Sequence, residues 1–162
     1  MTFNELQKLL INETKILLKN MSFIDSKGGN TELSGFPQAA DFNGLPGQDL
    51  FSQTAQEKET IIPYFLVRLD QVEYRKKDAD NKNLAVIVIE INVCRTDKEG
   101  FYLLTAAIEK ITGRFLSDPF LQSFWCERAL NIIFPKKVTP SYFTGEIEML
   151  WNLPEIETGG IL

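Results

Sequence analysis

Histidine is absent from all 162 residues, and that absence removes a set of chemistries. The usual general base near neutral pH goes with it, as do the Ser-His and Cys-His nucleophile pairs and most zinc sites. Cysteine is scarce as well. Cys94 and Cys126 are too few for a metal cluster and too far apart in sequence for a Cys-x-x-Cys redox pair. The first ends an apolar run and the second follows Phe124-Trp125, so both read as small buried hydrophobes suited to a reducing cytoplasm. No apolar run approaches the roughly 18 residues of a membrane span. Residues 1–20 lack the basic start, continuous apolar centre and small-residue cleavage site of a signal peptide. Gly28-Gly29 and Gly44 to Gly47 lack the strand-turn-helix setting of a phosphate cradle. Positive charge is in the minority: 17 Lys and Arg against 22 Asp and Glu leave a net charge of -5. That balance argues against a nonspecific nucleic-acid binder, which needs a basic footprint. The one dense basic run, Arg75-Lys76-Lys77, is short and reads as a solvated loop.

What is present is ordinary globular material, 44% hydrophobic and 11% aromatic, of a length that suits one domain. Its strongest local signal is Pro140-Ser-Tyr-Phe-Thr-Gly-Glu-Ile-Glu-Met-Leu-Trp-Asn-Leu-Pro154. Phe143, Gly145, Ile147, Met149, Trp151 and Leu153 share one parity, while Thr144, Glu146, Glu148 and Asn152 take the other, with Leu150 the apolar exception. That is the period of a half-buried strand with one face on a core and an acidic face outside. Glu146 and Glu148 have nothing apolar of their own parity except Leu150, so they read as solvent-facing or interface charges rather than catalytic carboxylates.

Upstream, Phe3, Leu6, Leu9, Leu10, Ile16 and Leu17 recur at helical steps over about Asn4 to Asn20, with Thr2 or Asn4 as cap and Glu5 in the first turn. Asp25 to Glu59 breaks the pattern with many glycines and prolines and with scattered Phe36, Phe42 and Phe51. Loops this long in a compact domain are usually functional or disordered, and the aromatics imply packing against something, a neighbouring subunit included. Strands are expected at Ile61 to Leu69, with Pro63 marking a strand end or an edge, and at Leu84 to Cys94, apolar on both parities and so central. Asp70 to Asn83 reads as a charged hairpin tip. Asp78, Asp80 and Asn81 have part of a calcium-loop spacing but lack its glycine and closing glutamate. A second helix is expected over about Gly100 to Leu116, with Asp97 as cap, Phe101 or Tyr102, Leu104, Ile108, Ile111 and Phe115 as its stripe, and Asp118-Pro119 as its stop. Phe124 to Pro135 reads as a third strand with an irregular start, Phe120 to Phe124 being open to a short helical turn; Phe143 to Leu153 is the last.

The expected fold is therefore α+β: a mixed, mostly antiparallel sheet of about four strands packed against two helices, in a single domain. It divides into an N-terminal helix (1–24), a flexible excursion (25–60), a sheet-and-helix core (61–157) and a tail (158–162). No catalytic, cofactor-binding or metal-ligating residue is expected. The candidate interface residues are Phe36, Phe42, Phe51, Glu146 and Glu148.

Ile62-Pro63-Tyr64-Phe65-Leu66-Val67-Arg68-Leu69, the charged hairpin and apolar strand after it, and Leu103-Leu104 with Ile108-Glu109-Lys110-Ile111 resemble the tail-terminator (tail-completion) proteins of long-tailed phages and prophages. The most specific part is the close, Tyr142-Phe143-Thr144-Gly145-Glu146-Ile147-Glu148 with Trp151-Asn152-Leu153-Pro154. The resemblance spans roughly Ile61 to Glu157. Two departures stand out: the excursion is longer and richer in Phe and Gly than expected of such relatives, and Asn92-Val93-Cys94-Arg95 stands where many have a glycine-containing strand end. The resemblance implies a structural protein without enzymatic activity or cofactor that caps the tail tube and presents the head-joining surface. It implies rings, commonly of six copies, with the tail tube protein and the head-completion or connector protein as partners. It also implies a place in the virion tail after assembly in the bacterial cytoplasm, with no specific nucleic acid or membrane as partner. An acidic ring lumen would keep passing DNA from sticking. A head-completion or baseplate adaptor protein, and a non-phage interaction domain, remain the alternatives.

Overall fold

Thr2 opens the first helix with its side chain. Its hydroxyl accepts from the Glu5 amide while the Glu5 carboxylate accepts from the Thr2 amide, a reciprocal capping box. The computed structural model describes residues 2–38, 62–74, 83–94, 98–135 and 142–154, and in it this helix, α1, is Phe3–Leu18. Its buried positions are Leu6, Gln7, Leu10, Thr14 and Leu18. Ile16, expected on that stripe, is instead 67% exposed, because two residues past the buried Thr14 it is turned about 160° round the helix from it. Polar Gln7 takes an interior place because its amide has work there: it donates to the Val67 carbonyl (2.8 Å) and to Gln38 (2.9 Å).

The excursion expected over 25–60 is structured in its first part. Phe23–Ile24 (β1) and Asn30–Thr31 (β2) form a two-stranded ribbon, closed by Asp25, whose carboxylate accepts from the Lys27 and Gly29 amides. Ser34–Pro37 (β3) then joins the main sheet, pairing in parallel with Tyr64–Tyr74 (β4). Phe42 and Phe51 lie outside the described residues, as do the Arg75-Lys76-Lys77 run, the Asp78 to Asn81 loop and the Asp97 cap.

Among the described residues the sheet has seven strands rather than about four. Its order is β3-β4-β5-β9-β7-β6, with β8 also on β9; β5 is Asn83–Val93, β6 Phe120–Leu121, β7 Phe124–Cys126, β8 Asn131–Ile133 and β9 Phe143–Leu153. All pairs but β3-β4 are antiparallel. The undercount came from short pieces: β3, β6, β7 and β8 have two to four residues each, too few to show a period. Phe120 to Phe124 is a tight hairpin rather than a helical turn, with Gln122 at φ 53°. The long strands follow their apolar patterns. β9 has the expected bounds, β5 is central between β4 and β9, and Pro63 immediately precedes β4. β4 runs five residues beyond Leu69 because a bulge between Leu69 and Gln71 shifts the alternation by one, so that Val72 returns to the core side.

One face of this sheet carries both helices. Lys98–Ser117 (α2) buries Leu104, Ile108, Ile111 and Phe115 against it, while Phe101 and Tyr102 stay exposed. Phe65, Ile87, Ile89, Ile91, Ile147, Met149 and Trp151 supply the sheet side of the core, each at most 1% exposed. α2 comes so close to β9 that a Cβ on Gly145 would lie 2.6 Å from the Ile108 Cδ1. Arg114 ties the layers together, through its Nε to Glu13 of α1 (2.8 Å) and through its guanidinium to the Asp118 and Phe120 carbonyls. No helix of the described residues is long and apolar enough to cross a membrane.

Candidate functional site

The sheet face opposite the helices is where the charge sits. Glu90 on β5 and Glu146 on β9 are direct cross-strand partners, an arrangement that is unfavourable for like charges. Arg68 on β4 resolves it. Its Nη1 lies 2.9 Å from Glu90 and 3.3 Å from Glu146, and its Nε lies 3.3 Å from Asp70. Burial alone would lower the Arg68 pKa, but the hydrogen bonds to Asp70 and Glu146 outweigh it and hold the guanidinium above its ordinary value. The network continues through Asn92, which donates to Glu90 (3.0 Å) and accepts from Thr144 (2.6 Å). Glu148, which accepts from Asn131 of β8, adds a further carboxylate to this face. Glu146 is thus an ion-paired, largely covered group rather than a bare outward charge, and Val88 lies opposite Glu148, so the face is not simply acidic.

Arg68 and Glu90 were not picked out from sequence. The available signal was one charged residue in the middle of each of two apolar strands, with parities that the register places on one face. Phe36 lies on β3 and its ring meets Tyr64 edge-on at 6.4 Å, so it is a packed residue of an edge strand, not a loose aromatic. It is level with Glu146 in register, through Leu66 and Glu90, but three strands away, so the two do not meet. Among the described residues no group of three or more acidic or cysteine side chains is placed to share a metal ion.

Tyr64, Tyr142 and Cys94 gather at the end of the sheet where β4 begins. The two tyrosine rings meet at 5.3 Å, and the Tyr142 hydroxyl donates to the Ile62 carbonyl. Burial, reinforced by Glu90 and Cys94, pushes Tyr64 up to about 12, and burial above all raises Tyr142 further. Burial likewise pushes Cys94 and Cys126 from 9.0 to about 12, and only Cys126 is fully buried. In each case folding favours the neutral form. The stability this represents is complete below the unfolded thiol value of 9.0 and is lost as pH rises towards 12. Urea midpoints measured at about pH 8 and about pH 11 should therefore fall at the higher value; equal midpoints would contradict the buried placement of these groups.

A cleft of about 530 Å³ opens beside β3, lined by Leu18, Leu33, Gly35 and Phe36 and by the charged Lys15, Lys19 and Glu32. On the opposite flank Ile132, Ile133 and Phe134 are exposed, with Phe101 and Tyr102 of α2 alongside, while Phe120 and Trp125, partners across β6 and β7, are exposed at the other end of β9. Phe101 links this flank to the core side, its ring 5.8 Å from Phe134 and 6.3 Å from Phe143. No family model and no curated protein sequence matches this chain.

Proposed function

We propose that this chain is a structural subunit of a long-tailed phage particle: a tail terminator that forms a ring on the last ring of the tail tube, stops its growth and offers the surface on which the head is joined. The observation that carries the reading is the cluster of exposed Phe101, Tyr102 and Phe134, whose rings adjoin, with Ile132 and Ile133 of β8 beside it. Contiguous apolar surface of this kind is what a protein keeps for partners. The resemblance of Tyr142 to Pro154 to the closing strand of tail terminators agrees with it. A net charge of -5 per copy suits a ring through which DNA passes, since like charge discourages adhesion. In this reading the mechanism is geometric: the ring matches the tube end on one side and matches no further tube subunit on the other.

The test is light scattering from growing tail tubes with and without the full chain. The expected result is an arrest of elongation at about one ring per tube end. Tubes that lengthen equally in both samples would refute the reading. Binding to the head connector without any effect on tubes would transfer the protein to the head-completion class.

A further inference from the structure

β3, β6 and β8 each have an edge with no strand partner among the described residues. The register relates two of these edges across the whole sheet. Ile133 pairs with Glu146, Glu146 with Glu90, Glu90 with Leu66, and Leu66 with Phe36. Ile132 reaches Pro37 in the same way through Ile147, Ile89 and Val67. The β8 edge and the β3 edge therefore lie level along the strands, on opposite sides of the sheet. Their directions are also fixed. β8 is antiparallel to β9, β9 to β5 and β5 to β4, while β3 is parallel to β4. β8 and β3 thus run opposite ways, as an antiparallel pair requires.

Monomeric proteins protect open edges with very short strands, proline, bulges and charge, especially lysine; β3 and β8 are short and Pro37 removes one donor from β3, but the charge is missing from both. Neither Ser34-Gly35-Phe36-Pro37 nor Asn131-Ile132-Ile133-Phe134 contains a charged residue. Ile132, Ile133 and Phe134 are 46%, 41% and 44% exposed, and the cleft beside Gly35 and Phe36 leaves room for a neighbour. The helix layer is complementary at the same level. Lys15 and Lys19 stand exposed where α1 ends beside Ser34 to Phe36, outnumbering Glu32 of the same cleft, and Glu99 stands exposed where α2 begins beside Phe143. Lys98, next to Glu99, is folded over the Tyr102 ring at 5.7 Å.

We propose that copies of this chain join head to tail, β8 of one pairing antiparallel with β3 of the next, so that the sheet continues from subunit to subunit. The proposal rests on the ring reading above and names the contact that makes the ring. Phe36 and Ile133 share the outer face, so Ile133 of one copy meets Phe36 of the next, while Ile132 meets Pro37 on the helix side. Lys15 and Lys19 of one copy approach Glu99 of its neighbour. A level step carries no rise along the strands, which favours a heterologous contact that closes over one that climbs into a filament. Strands of four and three residues contribute few backbone bonds, so a single contact is weak. A closed ring, in which every copy makes two contacts, is far stronger than an open pair.

The test is disulfide trapping in the full chain with the native thiols replaced (Cys94→Ser, Cys126→Ala), at raised salt to screen the charge of -5 per copy. Phe36→Cys with Ile133→Cys in one chain should give a ladder of linked multimers. The two single variants mixed should give dimers only, and neither alone should link. Linkage in Ile133→Cys alone or Phe36→Cys alone would mean a two-fold contact and overturn the proposal. Multimers seen by sedimentation but never linked through 36 and 133 would overturn it while leaving the ring reading intact. No multimers at any concentration or salt would end both. Should the thiol replacements unfold the chain, Ile133→Lys in the native sequence gives a second readout, since Ile133 is exposed. Unchanged melting with loss of multimers supports the contact, and multimers that persist refute it.

Discussion

Trp151→Ala should cost about 3–5 kcal/mol, the range for deleting a large aromatic from a core that cannot collapse around the gap. Trp151 has no exposed surface and its ring meets that of Phe115 edge-on at 5.3 Å, so it fastens β9 to α2. The comparison that gives the number meaning is Trp125→Ala. Trp125 is on β7, next to the register partner of Trp151, yet it points to the other face and is 37% exposed. Its loss should cost roughly 1 kcal/mol or less, as expected for a partly exposed position. Urea unfolding of both variants checks the pair. Equal costs, or a larger one at Trp125, would show that the strand faces are assigned the wrong way round.

Gly35→Val should be nearly as damaging, for the opposite reason. A Cβ at residue 35 would lie 2.2 Å from the Phe65 ring, with two more ring carbons within 2.8 Å. Phe65 is fully buried and has nowhere to retreat, so either the core shifts or β3 leaves the sheet. Forcing extra carbon into a filled site costs about 1–3 kcal/mol, and detachment of β3 also strips the pairing that shields β4. Hydrogen exchange separates the two outcomes. Amides of 34–37 and 64–67 that lose protection together, with a lower melting temperature, are the expected result. A variant with wild-type melting and protection would contradict the close approach of β3 to Phe65. Because the β3 edge is also the proposed acceptor for the next copy, the same variant should fail to form multimers.

The sequence was most readable where a strand was long and its two faces differed. β9 carried its bounds and its buried parity openly, since Ile147, Met149 and Trp151 alternate with Glu146, Glu148 and Asn152. β5 was legible as central because Val86, Val88 and the isoleucines load both of its faces. Short strands were not. β3 is held by Gly35 lying under the Phe65 ring and by Gln38, whose side-chain amide donates to the Leu69 carbonyl and accepts from the Leu69 amide, imitating one more strand residue. No periodicity announces either device, and both depend on residues some thirty positions away. On α1 hydrophobicity and burial part company: Ile16 is exposed, whereas Gln7 is inside on account of the Val67 carbonyl it satisfies. At the candidate site, Glu146 was visible as a charge on a strand. Its meaning came only from Arg68 and Glu90, 78 and 56 positions before it, once the register brought three strands together.

Native mass spectrometry of the full chain across a range of salt and protein concentration is the most direct measurement of the central claim, that this is a self-assembling ring subunit. The account predicts monomers at low salt, where -5 charges per copy repel, giving way at higher salt to one closed species of fixed copy number with few intermediates. A monomer at every condition, or an open ladder that lengthens with concentration and never settles on one size, would contradict it.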